Sequence, residues 1–477
     1  AMDKRLKNGI AAIALAGWAA GCATGPDFRA PAAPESESWG EAVRGAAQRF
    51  DAELDAPADW WTLFGSAELD AAVAEALAKS PTLDQALARL RQAQEEYNAQ
   101  AGAARWPAVD AGFGAKRQKV NPEAMGMENV PVPDPFSLYQ ATLSVSYAFD
   151  LFGKDRRTLE ALQAQVDRRE IELEGARRTL AANVVLAAIR LAETEKRIEA
   201  AEAIAAARAE QFEIARQRRD AGGISARELE GAGLALEQAR AALPALENQR
   251  ARLRRQLAVY LGREPAAAPA EIVDLDDLQL PAEMPASVPS EVARRRPDIR
   301  AAEAVWHRAC ANVGAATADL YPRLTIVASL GSQETDLGDV LSRANVWSVG
   351  GDLMQPVFRG GALRARKRAA EAAYDEAAAA YRETVLRGLQ EVADALQALE
   401  TDARTLQARA AAADHARAAR EIADGQVVAG GLSRAAALEE RVREEQAAGE
   451  RIAAQAARQA DAAALFHAVG GNWEAAP

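Results

Sequence analysis

The chain has 477 residues, of which 49% are apolar, and a formal net charge of −12. A chain of this length can bury a large core, and length alone would suggest two or three domains. The acidic balance argues against nucleic acid as a partner, because phosphate binding needs a basic surface. Cys22 and Cys310 are too far apart in sequence for a disulfide framework or a zinc site of the usual spacing.

The sequence carries no recognisable enzyme motif. It has neither a nucleophile elbow nor a phosphate-binding loop. The histidines, His307, His415 and His467, occur singly, which favours structural or solvated roles over metal ligation. We therefore expect a protein that is not an enzyme and that holds no metal and no non-covalent cofactor.

Residues 1–21 have the pattern of a secretory signal peptide. Basic residues precede an uncharged run over 9–20, which is too short to span a bilayer. The small residues 19–21 come directly before Cys22 and resemble a bacterial lipobox, which implies diacylglycerol and an N-acyl chain on Cys22. Ala23 follows, where an Asp would retain a lipoprotein in the inner membrane, so the resemblance favours the outer membrane. The alternative is an ordinary secretory signal in which Cys22 is incidental.

Four landmarks occur twice in the same order, which indicates two copies of one unit. They are Pro81 and Pro297, Pro107 and Pro322, residues 221–225 and 429–433, and residues 257–262 and 465–470. We predict an N-terminal extension at 22–66, a first repeat at 67–262, a Pro-rich acidic connector at 263–289, a second repeat at 290–471 and a tail at 472–477.

Each repeat contains two candidate β-strands. They are predicted at 108–120 and 138–149 in the first repeat and at 323–333 and 346–355 in the second. Apolar and small polar residues alternate from Leu143 to Phe149, and this period of two indicates a sheet with unlike faces. Strands of about ten residues can cross a bilayer when tilted.

Four strands cannot close a barrel, and lipid does not tolerate open strand edges. Transmembrane strands would therefore require a homotrimer, in which three chains supply twelve strands, an even number within the known range. The alternative is a small soluble antiparallel sheet packed on helices.

Two segments predict unusually long helices. Residues 154–220 and 362–429 contain no proline and few glycines, and each would extend about 100 Å as a helix. Return helices at 225–261 and 433–469 reach only part of that length, and α segments at 68–105 and 290–320 could complete them. The predicted fold is mainly α with transmembrane β: a trimeric 12-stranded barrel, four strands per chain, continued by a long coiled-coil helical barrel. The apolar heptad seam that indicates the coiled coil, with one shift of four, is Leu159, Val166, Leu173, Leu180, Val184, Leu191, Ile198 and Phe212.

The whole mature chain resembles the outer-membrane factors of the TolC superfamily, in particular the lipoprotein branch that serves resistance-nodulation-division (RND) efflux pumps. The motifs that carry the resemblance are Gly-Pro-Asp-Phe at 25–28, Trp-Trp at 60–61, Arg-Arg-Pro-Asp-Ile at 295–299 and Gln-Pro-Val-Phe at 355–358. The resemblance implies a passive exit duct in the outer membrane for drugs or other small molecules, with its helical part in the periplasm. It also implies a periplasmic adaptor and an inner-membrane RND pump as partners.

By the same resemblance the adaptor docks on two helical tips. The tip residues are Gly222, Gly223, Ile224 and Ser225, and Gly430, Gly431, Leu432 and Ser433. Glycine suits a reversal of helix direction and serine suits the start of the next helix, so these segments would be good turns in any case. We expect Ile224 and Leu432 to be exposed, where a partner could cover them.

The resemblance also implies a periplasmic gate of acidic residues just beyond the second tip. The two usual positions hold Ala436 and Glu439, so one acid is missing. Glu439, with Glu440 beside it, could form a carboxylate ring that favours cations. Glu228 and Glu230 occupy the comparable region of the first repeat. The alternative is that these acids form an ordinary solvated helix face.

Two other functions stay open at this point. The same channel could serve as a type I secretion duct. A non-conducting periplasmic scaffold lipoprotein would share the anchor and the long helices, but it would not need two long amphipathic hairpins at equivalent places.

Overall fold

The computed structural model describes residues 23–32, 39, 49–51, 56–119, 134–269, 272–281, 283–285, 289–342 and 344–470. The predicted signal peptide, the predicted lipid-attachment residue Cys22 and the tail at 472–477 lie outside these ranges. A search of the described residues finds no helix that is both long and apolar enough to cross a membrane.

The described residues form a mainly helical fold with one long-stranded sheet. Helices α1 to α8 are Ala67–Lys79, Pro81–Arg105, Lys154–Asp220, Ala226–Tyr260, Pro289–Arg295, Pro297–Ala318, Ala362–Val428 and Arg434–Val469. Strands β1 to β6 are Arg49–Asp51, Ala108–Gln118, Phe136–Phe149, Glu283–Pro285, Arg323–Glu334 and Val346–Met354. The order helix, two strands, long helix and return helix occurs twice, as the sequence predicted.

Each α segment that precedes a strand pair is divided in two at its internal proline. The segments predicted at 68–105 and 290–320 break where α2 begins at Pro81 and where α6 begins at Pro297. Proline has no N–H to donate and disfavours a helical conformation in the residue before it. Ser80 is accordingly extended, with a ψ of 123°.

Helices α3 and α7 are unbroken over 67 residues each. Gly175 in α3 lies at a close contact, because a Cβ there would be 3.3 Å from the side chain of Pro297. Most of the predicted heptad seam is buried, as a coiled-coil interface requires. The buried seam positions are Val166, Leu173, Leu180, Val184, Leu191 and Ile198, while Leu159 and Phe212 are half-buried.

The four long strands form one antiparallel sheet in the order β2-β3-β5-β6. The central pair, β3 and β5, joins the two repeats, while β2 and β6 are the edges. Gly331 allows a close approach at this junction, since a Cβ there would lie 2.3 Å from the carbonyl oxygen of Ala141 in β3.

The described residues divide into two compact units. The first comprises residues 23–30, 90–169 and 302–381 and contains the four-stranded sheet. Trp306 is central to its helical part, with ring centroids 5.7 Å from Tyr374 and 5.6 Å from Tyr381.

The second unit comprises the described parts of 31–89, 170–301 and 382–477. Trp60 stacks on Phe466 in its core, with the ring centroids 5.6 Å apart and the planes at 7°. The short strands β1 and β4 pair in parallel within this unit.

Candidate channel wall, tips and gate

One face of the four-stranded sheet is apolar across all four strands. The strand register aligns Val109, Val145, Ala328 and Val349 in one row, and Ala111, Leu143, Leu330 and Trp347 in the next. These side chains do not pack against helices: Val109 is 60% exposed and Trp347 is 75% exposed. An exposed apolar surface that follows a whole sheet face indicates a surrounding apolar medium.

The opposite face of the same sheet is polar. One complete row is Asp110, Ser144, Ser329 and Ser348. The hydroxyl oxygens of Ser329 and Ser348 are 2.8 Å apart, so neighbouring strands hydrogen-bond through their side chains on this face. A sheet that is apolar on one side and polar on the other is suited to separate lipid from a water-filled lumen.

The two edges of the sheet are open. Strand β2 pairs only with β3, and β6 pairs only with β5, among the described residues. Each edge therefore presents a row of backbone N–H and C=O groups without a strand partner, which hydrocarbon does not tolerate. The wall is incomplete as a single chain.

The Gly-Pro-Asp-Phe motif near the N-terminus is a backbone attachment to the first unit. The Thr24 N–H and hydroxyl both donate to the Phe152 carbonyl, at 3.1 and 3.0 Å. Gly25 lies directly on Gly314 of α6, where a Cβ on Gly25 would be 2.4 Å from the Gly314 Cα. Phe28 stacks on His307, with ring centroids 4.5 Å apart. The motif thus holds this N-terminal segment at the point where β3 leads into α3.

Arg157 anchors the same segment electrostatically. It is buried and donates to Asp27 at 2.6 Å and to Glu160 at 2.7 Å. Burial opposes its charge, but the hydrogen bonds to Asp27 and Glu160 outweigh this effect, and the pKa of Arg157 lies above its usual value.

The Arg-Arg-Pro-Asp-Ile motif forms a comparable attachment in the second unit. Arg296 donates to Asp298 at 2.8 Å, to Glu391 of α7 at 2.6 Å and to the carbonyl of Ala468 at 3.0 Å. Burial acts against the guanidinium charge, yet the two carboxylates keep the pKa of Arg296 raised. One side chain thereby connects the α5–α6 break, the long helix α7 and the C-terminal end of α8.

The two predicted tips are tight helix reversals of the same construction. Gly222 and Gly430 adopt the left-handed conformation, with φ of 77° and 76°. The following glycine N–H of each tip returns to the helix end, to the carbonyl of residue 218 at 2.7 Å and of residue 426 at 2.8 Å. Ser225 accepts from the N–H of residue 228 at 3.2 Å, and Ser433 accepts from that of residue 436 at 3.3 Å.

The prediction that Ile224 and Leu432 are exposed is wrong, because both side chains are half-buried. The helix-end hydrogen bonds fold the turn back, which brings the residue after the second glycine against its own helix. The exposed apolar residue at the second tip is Val428, the last residue of α7, which is 90% exposed. Val428 lies before the Gly-Gly turn, so the sequence pattern of the turn does not mark it as a candidate contact residue.

The predicted gate residue Glu439 forms an ion pair within its own chain. Arg208 of α3 donates from Nη1 to its Oε2 at 2.6 Å, and Gln211 donates to the same oxygen at 3.3 Å. The Arg208 hydrogen bond holds the pKa of Glu439 below its usual value. Glu440 instead accepts from Arg443 on its own helix at 2.9 Å, so the two acids do not act as one cluster.

A second ion pair reinforces the link between α3 and α8 near this tip. Arg434 donates to Glu210 at 2.7 Å. The same two helices share a buried apolar cluster of Ala207, Leu438 and Val442. In the first repeat, Glu228 caps its helix through Ser225, and Glu230 is exposed. Arg208 and Gln211 have no local sequence signal that marks them as partners of Glu439, since only the fold brings α3 alongside α8.

A family model described as "Outer membrane efflux protein" matches residues 72–263 and 288–471. The chain belongs to this family. It is 31% identical to the outer membrane protein OprJ of Pseudomonas aeruginosa, over 88% of this chain and 87% of OprJ. It is also 31% identical to the pyoverdine export outer membrane protein OpmQ of the same organism, over 87% of both chains. Among solved structures, the outer-membrane channel OprN has a TM-score of 0.82 and 28% identity, over 95% of this chain and 100% of OprN.

Membership of the outer membrane efflux protein family confirms the resemblance to TolC-type outer-membrane factors. The predicted fold class, the role as an exit channel for efflux and the location in the outer membrane with a periplasmic helical part are confirmed with it. The family is a channel and transport family and not an enzyme family. Both strand pairs and both tips lie within the matched ranges.

Proposed function

We propose that three copies of this chain close into one channel, the exit duct of a tripartite efflux pump. The observation that carries the proposal is the sheet with one apolar face and two open edges. Because β2 and β6 both lack an outer partner strand among the described residues, edge pairing between copies would satisfy the backbone and leave no free edge. Three copies supply twelve strands, with the apolar face toward lipid and the polar face toward the lumen.

The cargo is a drug or another small molecule that enters from the periplasm. A periplasmic adaptor and an inner-membrane RND pump are the proposed partners, and the adaptor docks on the two helical tips. Family membership and the name of OpmQ, a pyoverdine exporter, support a small-molecule cargo. The exposed Val428 at the second tip supports an apolar contact with the adaptor.

Lipid on Cys22 is the proposed anchor. The attachment of Thr24 to the Phe152 carbonyl supports this role, because it leaves only Ala23 between Cys22 and the end of the sheet wall. Acyl chains add about 0.8 kcal/mol per buried methylene, so several chains bind a membrane firmly. The mass of the N-terminal peptide tests the proposal: an unmodified Cys22 would refute it, and a Cys22→Ser chain should lose the added mass.

The Arg208–Glu439 pair is the proposed gate contact. It ties α3 to α8 in each copy and neutralises the carboxylate while the tip is closed. Opening would separate the helices and release Glu439 into the lumen, where three carboxylates favour cations.

The deciding experiment measures the mass of the purified, lipidated protein in detergent together with its conductance in a planar bilayer. A trimer that inserts and passes more cations than anions is the expected result. A monomer that binds membranes but never conducts would replace the channel with a scaffold lipoprotein. A conducting trimer that complements a secretion-duct deletion, and not an efflux-channel deletion, would favour type I secretion.

A further inference from the structure

The joint between the two repeats contains an aromatic stack at the base of the sheet. Phe152, between β3 and α3, stacks on Tyr321, which precedes β5, with ring centroids 4.8 Å apart and planes at 16°. Strands β3 and β5 are antiparallel neighbours, and Phe149 pairs with Leu324 at this end of the joint. The stack therefore lies where β3 ends and β5 begins, in the strand pair that joins one repeat to the other.

The chain contains the same two aromatic positions a second time, and there they are apart. Trp106 precedes Pro107 and β2 as Tyr321 precedes Pro322 and β5. Phe358 lies between β6 and α7 as Phe152 lies between β3 and α3. Trp106 is 66% exposed and Phe358 is 87% exposed. Their counterparts, Tyr321 and Phe152, are stacked on each other.

The two exposed rings belong to the two open edges of the sheet. Trp106 stands at the start of edge strand β2, and Phe358 follows the end of edge strand β6. If β6 of one copy pairs antiparallel with β2 of the next copy, the end of β6 meets the start of β2. This is the relation that β3 and β5 have within the chain, where the aromatic pair is formed.

We propose that Phe358 of one copy stacks on Trp106 of the neighbouring copy, and that this aromatic clasp closes each joint between subunits. The clasp rests on the proposed trimer and names the contact that sets the register of its edge pairing. Aromatic side chains contribute both buried area and a preferred geometry, which suits a contact that must select one register among several. In the single chain the Arg105 guanidinium lies over the Trp106 ring, 5.9 Å from its centroid, and Trp106 is still 66% exposed.

Cysteine cross-linking tests the clasp directly. The variant carries Trp106→Cys and Phe358→Cys in a Cys310→Ala background and is treated in detergent with a short bifunctional thiol reagent. We expect cross-linked dimers and trimers on a denaturing gel, while a chain that carries only one of the two substitutions stays monomeric. The matched control is Phe152→Cys with Tyr321→Cys, which should cross-link within one chain and give no ladder.

The outcomes separate the clasp from the trimer beneath it. A protein that is trimeric by native mass but gives no ladder, while the control pair cross-links, overturns the clasp and leaves the proposed trimer standing. A protein that is monomeric by native mass overturns the trimer and the clasp with it.

Substitution of the ring provides an independent readout. Trp106→Ala should lower the temperature at which the trimer dissociates, and Trp106→Tyr, which reproduces the residue of the intrachain joint, should restore it. Equal dissociation temperatures for Trp106→Ala and the unaltered protein would overturn the clasp.

Discussion

Removal of Arg208 tests the gate most directly. Arg208→Ala breaks the hydrogen bonds of 2.6 and 3.4 Å to the Glu439 carboxylate and leaves only the weaker Gln211 contact. The side chains of Arg208 and Glu439 are 21% and 38% exposed, so water screens the pair in part. The expected consequence is a tip that opens more often.

The size of the effect follows from this partial exposure. Such an ion pair contributes up to about 1 kcal/mol. If the three tips of the proposed trimer open together, the loss is about 3 kcal/mol, and since each 1.4 kcal/mol is about tenfold, the ratio of open to closed channels rises by roughly a hundredfold.

The open probability of single channels in a planar bilayer measures this ratio. Arg216→Ala is the matched control, because it removes another arginine of α3, which binds Glu213 at 2.8 Å and is 58% exposed. We expect the control to gate like the unaltered protein. An open probability for Arg208→Ala that equals the control would refute the gate contact.

The pKa of Glu439 adds a pH dependence with a defined sign. The Arg208 hydrogen bond lowers this pKa below the usual value of 4.5, so the pair stabilises the closed tip above that value and is lost as pH falls through the lowered pKa. Channel opening should therefore increase only in strong acid and stay constant near neutrality. Glu439→Gln should abolish the acid response, and an unchanged response would contradict the assignment.

Three further predictions concern the wall, the tip and the α7–α8 hairpin. Gly331→Ala should lower the thermal stability of the protein by crowding a carbonyl oxygen 2.3 Å from the new Cβ, whereas Gly350→Ala, with no atom within 4 Å, should not. Val428→Asp should reduce efflux in cells without changing bilayer conductance, and a loss of conductance would place Val428 in the channel itself. Asp461 lies beside Asp402, and burial and this neighbour raise its pKa to about 6. Because the raised pKa favours the protonated carboxyl in the folded state, stability is lost as pH rises from the ordinary pKa of 3.8 to about 6 and is constant above that, so Asp461→Asn should flatten the pH dependence of the melting temperature between about pH 4 and pH 6.

The sequence was sufficient for the strands and the long helices, because both depend on local patterns. From Leu143 to Phe149 apolar and small polar residues alternate with a period of two, which predicts a strand with one apolar and one polar face. The break in each α segment was harder to predict from sequence, since a proline can begin a new helix at one position and lie within a continuous helix at another. Pro81 and Pro297 begin new helices, whereas α4 continues through Pro244.

Only part of the candidate site could be predicted from sequence, because some of its contacts join residues that are far apart along the chain. The tip turns follow from Gly-Gly-Ile-Ser and Gly-Gly-Leu-Ser, where the caps lie within a few residues of each other. The partner of Glu439 is 231 residues away, and no local pattern marks Arg208 among the many arginines of α3. The half-burial of Ile224 and Leu432 depended on turn geometry that composition does not specify.

Two of the four motifs that carry the family resemblance, Gly-Pro-Asp-Phe and Arg-Arg-Pro-Asp-Ile, have a common physical role. The first supplies a partner of a buried arginine and the second supplies the buried arginine itself: Asp27 accepts from Arg157, 130 residues away, and Arg296 donates to Glu391, 95 residues away. A buried guanidinium costs free energy unless several acceptors surround it, so it fixes the segments that provide them. One contact holds the N-terminal segment at the base of the sheet, and the other holds the break between α5 and α6 against the long helix α7. If the proposed channel opens by moving its tips, it needs such fixed points elsewhere in each unit, and the two buried arginines supply them.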